Sequence, residues 1–200
     1  MTCFDQNQPG YLDFSYRIAS LAKDYQLTII SLAKITQAEL MFEKTQYHVI
    51  PTSDGKLDWM TYLVKSAWFI RQEKPDVVML LHSAVAPISL LIGGIPSCVY
   101  WNEHPFNLIR LPEKSSPIRY YASVFSQKLI FHGAKKAHVV MPIGEEQRDD
   151  LIARGCDLKR VQMIYMGAAD NFLVRSSSEY ISEDEPLRLI YIGTVSKERG

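Results

Sequence analysis

The chain has 200 residues, 47% of them apolar and 22% charged, the balance of a globular protein able to bury a sizeable core. Its 22 basic and 22 acidic residues cancel, so no global field exists to hold nucleic acid or an anionic membrane, and any such contact must be local. Cys3, Cys98 and Cys156 form no CxxC pair, Cys98 in its apolar run reads as a small buried thiol, and Asp5 to Gln8 stand where a signal peptide needs a basic start and an apolar stretch. A reducing, cytoplasmic setting is therefore expected.

In chain order, Thr2 to Phe4 reads as a short strand, Asp5 to Gly10 as a loop, and Asp13 as the cap of a helix whose Phe14, Ile18, Leu21 and Ala22 share a face. Leu27 to Leu32 and Tyr47 to Ile50 are β-branched and apolar enough for buried strands, the second stopping at Pro51. After a turn at Asp54-Gly55, Leu57, Met60, Leu63, Val64, Ala67 and Trp68 recur at helical spacing up to Arg71.

Val77 to Trp101 carries no charged side chain apart from His82, which is the length and character of a membrane span. Pro87, Gly93-Gly94 and Pro96 break it, however, into a strand Asp76 to Leu81, a helix Ala84 to Ile92 and a strand Pro96 to Trp101. Arg119 to Lys136 is a long amphipathic helix, His138 to Met141 a strand, Glu145 to Ala153 a helix ended by Gly155, and Val161 to Met166 a strand.

Strands and helices alternate throughout, which implies an α/β, Rossmann-like fold: a mostly parallel sheet with helices on both faces. Ligands of such sheets bind beyond the carboxyl ends of the strands. The loops Asp5 to Tyr11, His82 to Ala84, Asn102 to Leu108 and Pro142 to Glu145 are the ones to watch. Ser176 to Ser178 and Glu183 to Glu185 have linker composition. The expected organisation is thus a domain over 1–175, a linker over 176–186, and the first strand and loop of another domain over 187–200.

Four stretches, KPDVVMLLHS (Lys74 to Ser83), AKKAHVVMPIGEEQRDDLIARG (Ala134 to Gly155), RVQMIYMGAADNF (Arg160 to Phe172) and LRLIYIGTVSKERG (Leu187 to Gly200), resemble the retaining GT-B glycosyltransferases of family 4 type. Each is common in α/β proteins, and their succession carries the likeness. The resemblance implies the amino-terminal, acceptor-side half of an enzyme that moves a sugar from a nucleotide-sugar donor to a glycan, lipid or small-molecule acceptor with retention, needs no separate cofactor, and requires a carboxyl-terminal donor-binding domain. Such a fragment would be inactive alone. Gly144 stands where the family commonly has serine, Met166 where it has asparagine, and Thr194 where a basic residue often grips the donor phosphate.

His104 is the first catalytic candidate, since it follows a strand end where the family often places a histidine facing the transferred sugar, with Glu103 beside it as polar contact or acid–base group. An exposed loop histidine and a solvated carboxylate are the bland readings of the same pair. Candidate substrate contacts are Pro9, Gly10 and Tyr11 before the first helix, His82 and Ser83 at a strand-to-helix junction, Asn102, and Gly144. A plain turn and a satisfied interior histidine explain the first group and His82 about as well. Gly193, Thr194 and Arg199 could border a donor phosphate.

No HExxH, clustered Cys/His, P-loop lysine or GxSxG is present, so metal, NTPase and elbow-type hydrolase readings have no signature. The helix Arg119 to Lys136 mixes basic residues with Tyr120, Tyr121, Phe125 and Phe131, which admits peripheral membrane contact as well as core packing. The rival to sugar transfer is a non-catalytic α/β binding or regulatory module that recruits a separate catalytic subunit.

Overall fold

A computed structural model describes residues 11–31, 45–50, 58–109, 111–112 and 116–165. The expected strand at Thr2 to Phe4, the linker and everything from Met166 onward lie outside the described residues. Elements run α1 Tyr11–Asp24, β1 Leu27–Ser31, β2 Thr45–Val49, α2 Asp58–Glu73, β3 Val78–Leu80, a 3₁₀ turn Ser83–Val85, α3 Ile88–Leu91, β4 Ser97–Trp101, α4 Pro105–Leu108, α5 Pro117–Lys136, β5 Val139–Pro142, α6 Glu145–Ala153 and a 3₁₀ turn Leu158–Arg160.

The strands are all parallel, and they make two ladders among the described residues, β1–β2 and β3–β4–β5. Within β4, Ser97, Val99 and Trp101 alternate with Tyr100, yet all four are buried, so this strand is covered on both faces. The fold is α/β and Rossmann-like. Helix α2 ties the two ladders together. Its Leu63, Ala67 and Ile70 join the core with Val99, Trp101 and Ile130, while Tyr62 Oη donates to the Ile30 carbonyl (3.2 Å) and Trp59 Nε1 to that of Ala84 (2.9 Å).

Five local expectations need correction. Helix α1 starts at Tyr11, so Asp13 lies inside its first turn instead of capping it. The helix expected over Ala84 to Ile92 divides into a 3₁₀ turn and α3, because Pro87 has no N–H to continue a ladder. The loop Asn102 to Leu108 contains the short helix α4, with Pro105 at its first position. The strand expected from Val161 is reduced to one parallel bridge, Val161 to Val140, with the Gln162 and Ile164 N–H groups donating to the Val140 and Pro142 carbonyls of β5. Cys98, expected to be a small buried thiol, is only half-buried, whereas Cys156 is buried.

Just past the end of α2, Lys74 adopts the left-handed φ of 47° usually left to glycine, its N–H bonding the Ile70 carbonyl. No described helix is long and apolar enough to cross a membrane.

Candidate functional site at the carboxyl ends of β3, β4 and β5

Register places the candidate loops together. Leu80 pairs with Val99 and Trp101 with Pro142, so the residues just beyond β3, β4 and β5 emerge side by side along one edge of the ladder. His82, Ser83, Asn102, Glu103, His104 and Gly144 all lie there. Tyr11 opens α1, and Pro9, Gly10, Gly193, Thr194 and Arg199 lie outside the described residues.

Ser83 is fully buried and fastens two of these loops. Its N–H donates to Asn102 Oδ1 (3.3 Å) and its hydroxyl to the Glu103 carbonyl (2.6 Å). A wholly buried hydroxyl already donating to backbone has no face for a substrate, so Ser83 is a structural rivet and not the ligand contact expected of it. Asn102 Oδ1 is likewise committed to shaping the loop.

His82 caps the 3₁₀ turn, its Nδ1 accepting from Ala84 N–H at 3.0 Å. An imidazole whose Nδ1 accepts carries its proton on Nε2. That Nε2 points toward Glu103 Oε2 at 4.0 Å, with the His82 side chain 12% and the Glu103 side chain 35% exposed. Burial lowers the His82 pKa from 6.5 to about 4, so the ring is neutral near pH 7. A donor and a carboxylate at this spacing are too far apart to bond directly. One hydroxyl or water between them can accept from His82 and donate to Glu103.

His104 is engaged on both sides. Nδ1 accepts from Phe106 N–H at 3.4 Å as the cap of α4, and Nε2 meets Asp150 Oδ2 of α6 at 2.8 Å. Its ring lies near those of Phe106 and Phe131, and the Arg154 guanidinium stacks over both phenylalanines while its Nε donates to Asp150 at 2.8 Å. Partial burial pushes the Asp150 carboxyl up, but hydrogen bonds from Arg154 and His104 outweigh it and hold the pKa below the ordinary value. With both nitrogens held by protein, His104 acts as a clamp between the β4 loop and α6. That geometry is at odds with the expected role of facing the transferred sugar.

Asp150 and Arg154 were not among the sequence candidates. Their i,i+4 spacing on a helix was visible, but such pairs are ordinary surface features, and nothing local connects them to a histidine 46 positions earlier.

Gly144 caps α6 in extended backbone (φ −157°, ψ 159°) with no side-chain cap, and an added Cβ there meets nothing within 4 Å. Gly144→Ser is therefore expected to stabilise the fold by about 0.5 kcal/mol, by capping a first-turn N–H and stiffening the unfolded chain. A rise in the urea midpoint checks it, and a fall would show that the open space is filled.

No protein-family profile matches the chain, and no curated protein matches it in sequence. Among solved structures, the fold is similar to that of Anabaena HepE in complex with UDP and glucose, with a TM-score of 0.54 and 15% identity, over 87% of this chain and 46% of that one. The chain thus spans about half the length of that protein. The likeness is one of fold.

Proposed function

We propose that this chain forms one wall of a sugar-transfer crevice, in a protein that moves a glycosyl group from a nucleotide sugar to an acceptor with retention. The observation that carries the reading is the His82 Nε2–H facing the Glu103 carboxylate at the strand ends, a donor and an acceptor spaced for a single hydroxyl. Sugars present such hydroxyls, and the strand-end edge is where folds of this class take their ligands. The HepE structure, similar in fold, holds UDP and glucose, which supports a nucleotide sugar as donor. The wall opposite would come from a carboxyl-terminal domain.

In this reading Glu103 and His82 touch a sugar hydroxyl and orient it, and Asn102 and Ser83 hold the β3 and β4 loops in register. His104, pinned by Asp150, is a positioning residue that keeps the Glu103 loop at a fixed height above the sheet. Orientation of this kind matters because misplacement by about 1 Å can cost about a hundredfold in rate.

Incubating the full-length protein with a panel of nucleotide sugars and candidate acceptors tests the reading, with release of nucleoside diphosphate as readout and anomeric configuration followed by proton NMR. Glu103→Gln is expected to lower kcat/KM about tenfold while leaving the thermal midpoint in place, a loss of about 1.4 kcal/mol of transition-state binding. Binding and turnover of none of the nucleotide sugars would refute the enzyme and leave the recruiting-module reading.

A further inference from the structure

Helix α5 is apolar on two sides, and only one of them faces the core. Gln127, Ile130, Phe131, Gly133 and Ala134 are buried. On the opposite side, Ile118, Tyr121 and Phe125 are 84%, 70% and 61% exposed. At 3.6 residues per turn these three fall on the same arc, about 100° wide, as the exposed Lys128, His132, Lys135 and Lys136. The helix contains Arg119, Lys128, Lys135 and Lys136 and no Asp or Glu, although the chain as a whole is neutral. One face thus carries an apolar, aromatic tip followed by charge of a single sign.

The exposed apolar row on α2 does not share this character. Met60, Val64 and Trp68 on α2 are flanked on their own helix by Asp58, Lys65, Arg71 and Glu73, which cancel.

We propose that the outer face of α5 docks on an anionic lipid bilayer, with Ile118, Tyr121 and Phe125 entering the headgroup boundary and the basic residues resting on lipid phosphates. Isolated exposed apolar residues need no explanation, but a contiguous row on a helix whose charged side chains are all basic does. Tyrosine suits the boundary, its ring apolar and its hydroxyl wet. Exposed lysines are attracted by the negative potential of anionic lipid, an attraction that falls away within a screening length. The helix lies on the membrane without spanning it. This docking stands independently of the sugar-transfer reading, and either can fail without the other.

Flotation of the 200-residue chain with vesicles of mixed phosphatidylglycerol and phosphatidylcholine tests it. The protein should rise with the vesicles, should not rise with pure phosphatidylcholine, and should be released at about 1 M salt, where the screening length is only about 3 Å. The triple change Ile118→Ser, Tyr121→Ser and Phe125→Ser should cut the floated fraction about tenfold while circular dichroism stays unchanged, because these side chains contribute little to the core. Equal flotation of the triple variant and the parent would overturn the proposal. So would no flotation of the parent, including the case in which light scattering shows a dimer that the triple change abolishes, which would assign the face to a second copy of the chain.

Discussion

Gly133→Ala is expected to destabilise the fold by about 3 kcal/mol. A Cβ at this position would lie against the Ala86 carbonyl carbon and oxygen and the Pro87 nitrogen, closer than the 3.0 Å that real Cβ atoms keep. All three are backbone atoms, so no rotamer change makes room. Helix α5 would have to lift off the segment between the 3₁₀ turn and α3. Alanine improves helix propensity by about 1 kcal/mol over glycine, and the clash outweighs that gain because a closely packed interior resists extra volume. The same lifting disturbs Ser83, whose bonds to Asn102 and Glu103 hold the β3 and β4 loops together. Urea denaturation reads the loss. A variant as stable as its parent would mean that α5 does not rest on this turn, and Gly144→Ala, built where nothing lies within 4 Å, serves as the tolerated control.

The second large effect is one of pH. His82 is held neutral in the fold, its pKa lowered by burial from 6.5 to about 4. The unfolded chain therefore binds a proton that the folded chain refuses, so stability rises with pH across this window. The contribution is complete above about pH 6.5, declines as pH falls, and is lost once pH passes about 4, for a total on the order of 3 kcal/mol. The physical reason is twofold. A charged ring would sit in a mostly buried site, and a protonated Nδ1 would turn a donor toward the Ala84 N–H that it now accepts from.

His82→Asn keeps an acceptor near the Nδ1 position but cannot titrate. Its stability, measured by urea midpoints from pH 7 to pH 4, should be lower by a constant and should lack the His82 share of the acid slope. An unchanged slope in the variant would place the acid sensitivity elsewhere. Asp150, whose pKa is lowered, adds a separate loss that begins only as pH falls through the carboxylate range.

Short-range patterns decided most of the elements. Glu145-Glu146 at a helix start and Gly155 after its end marked α6, and the helix indeed runs Glu145–Ala153 with Gly155 at a φ of 90°. Pro87, Gly93 and Pro96 broke a span-like apolar run into a strand, helical turns and a strand. Helix α4 escaped because it has four residues and a histidine cap, too little signal for periodicity. The segment after Val161 bonds to β5 through Gln162 and Ile164 yet forms one bridge and no strand, a distinction that no local pattern encodes.

By itself the sequence determined the alternation of strands and helices, and with it the edge of the fold at which His82, Asn102, Glu103, His104 and Gly144 would gather. Periodicity and turn chemistry act over a few residues, and alternation leaves few topologies to choose from. Only the tertiary structure decided what each of these side chains does. Ser83 became a rivet because the Glu103 carbonyl arrives beside it. Asp150, far along the chain, claimed the free nitrogen of His104, and burial kept His82 neutral with its proton toward Glu103. Those assignments follow from hydrogen-bond partners and desolvation, which come into being when distant segments meet.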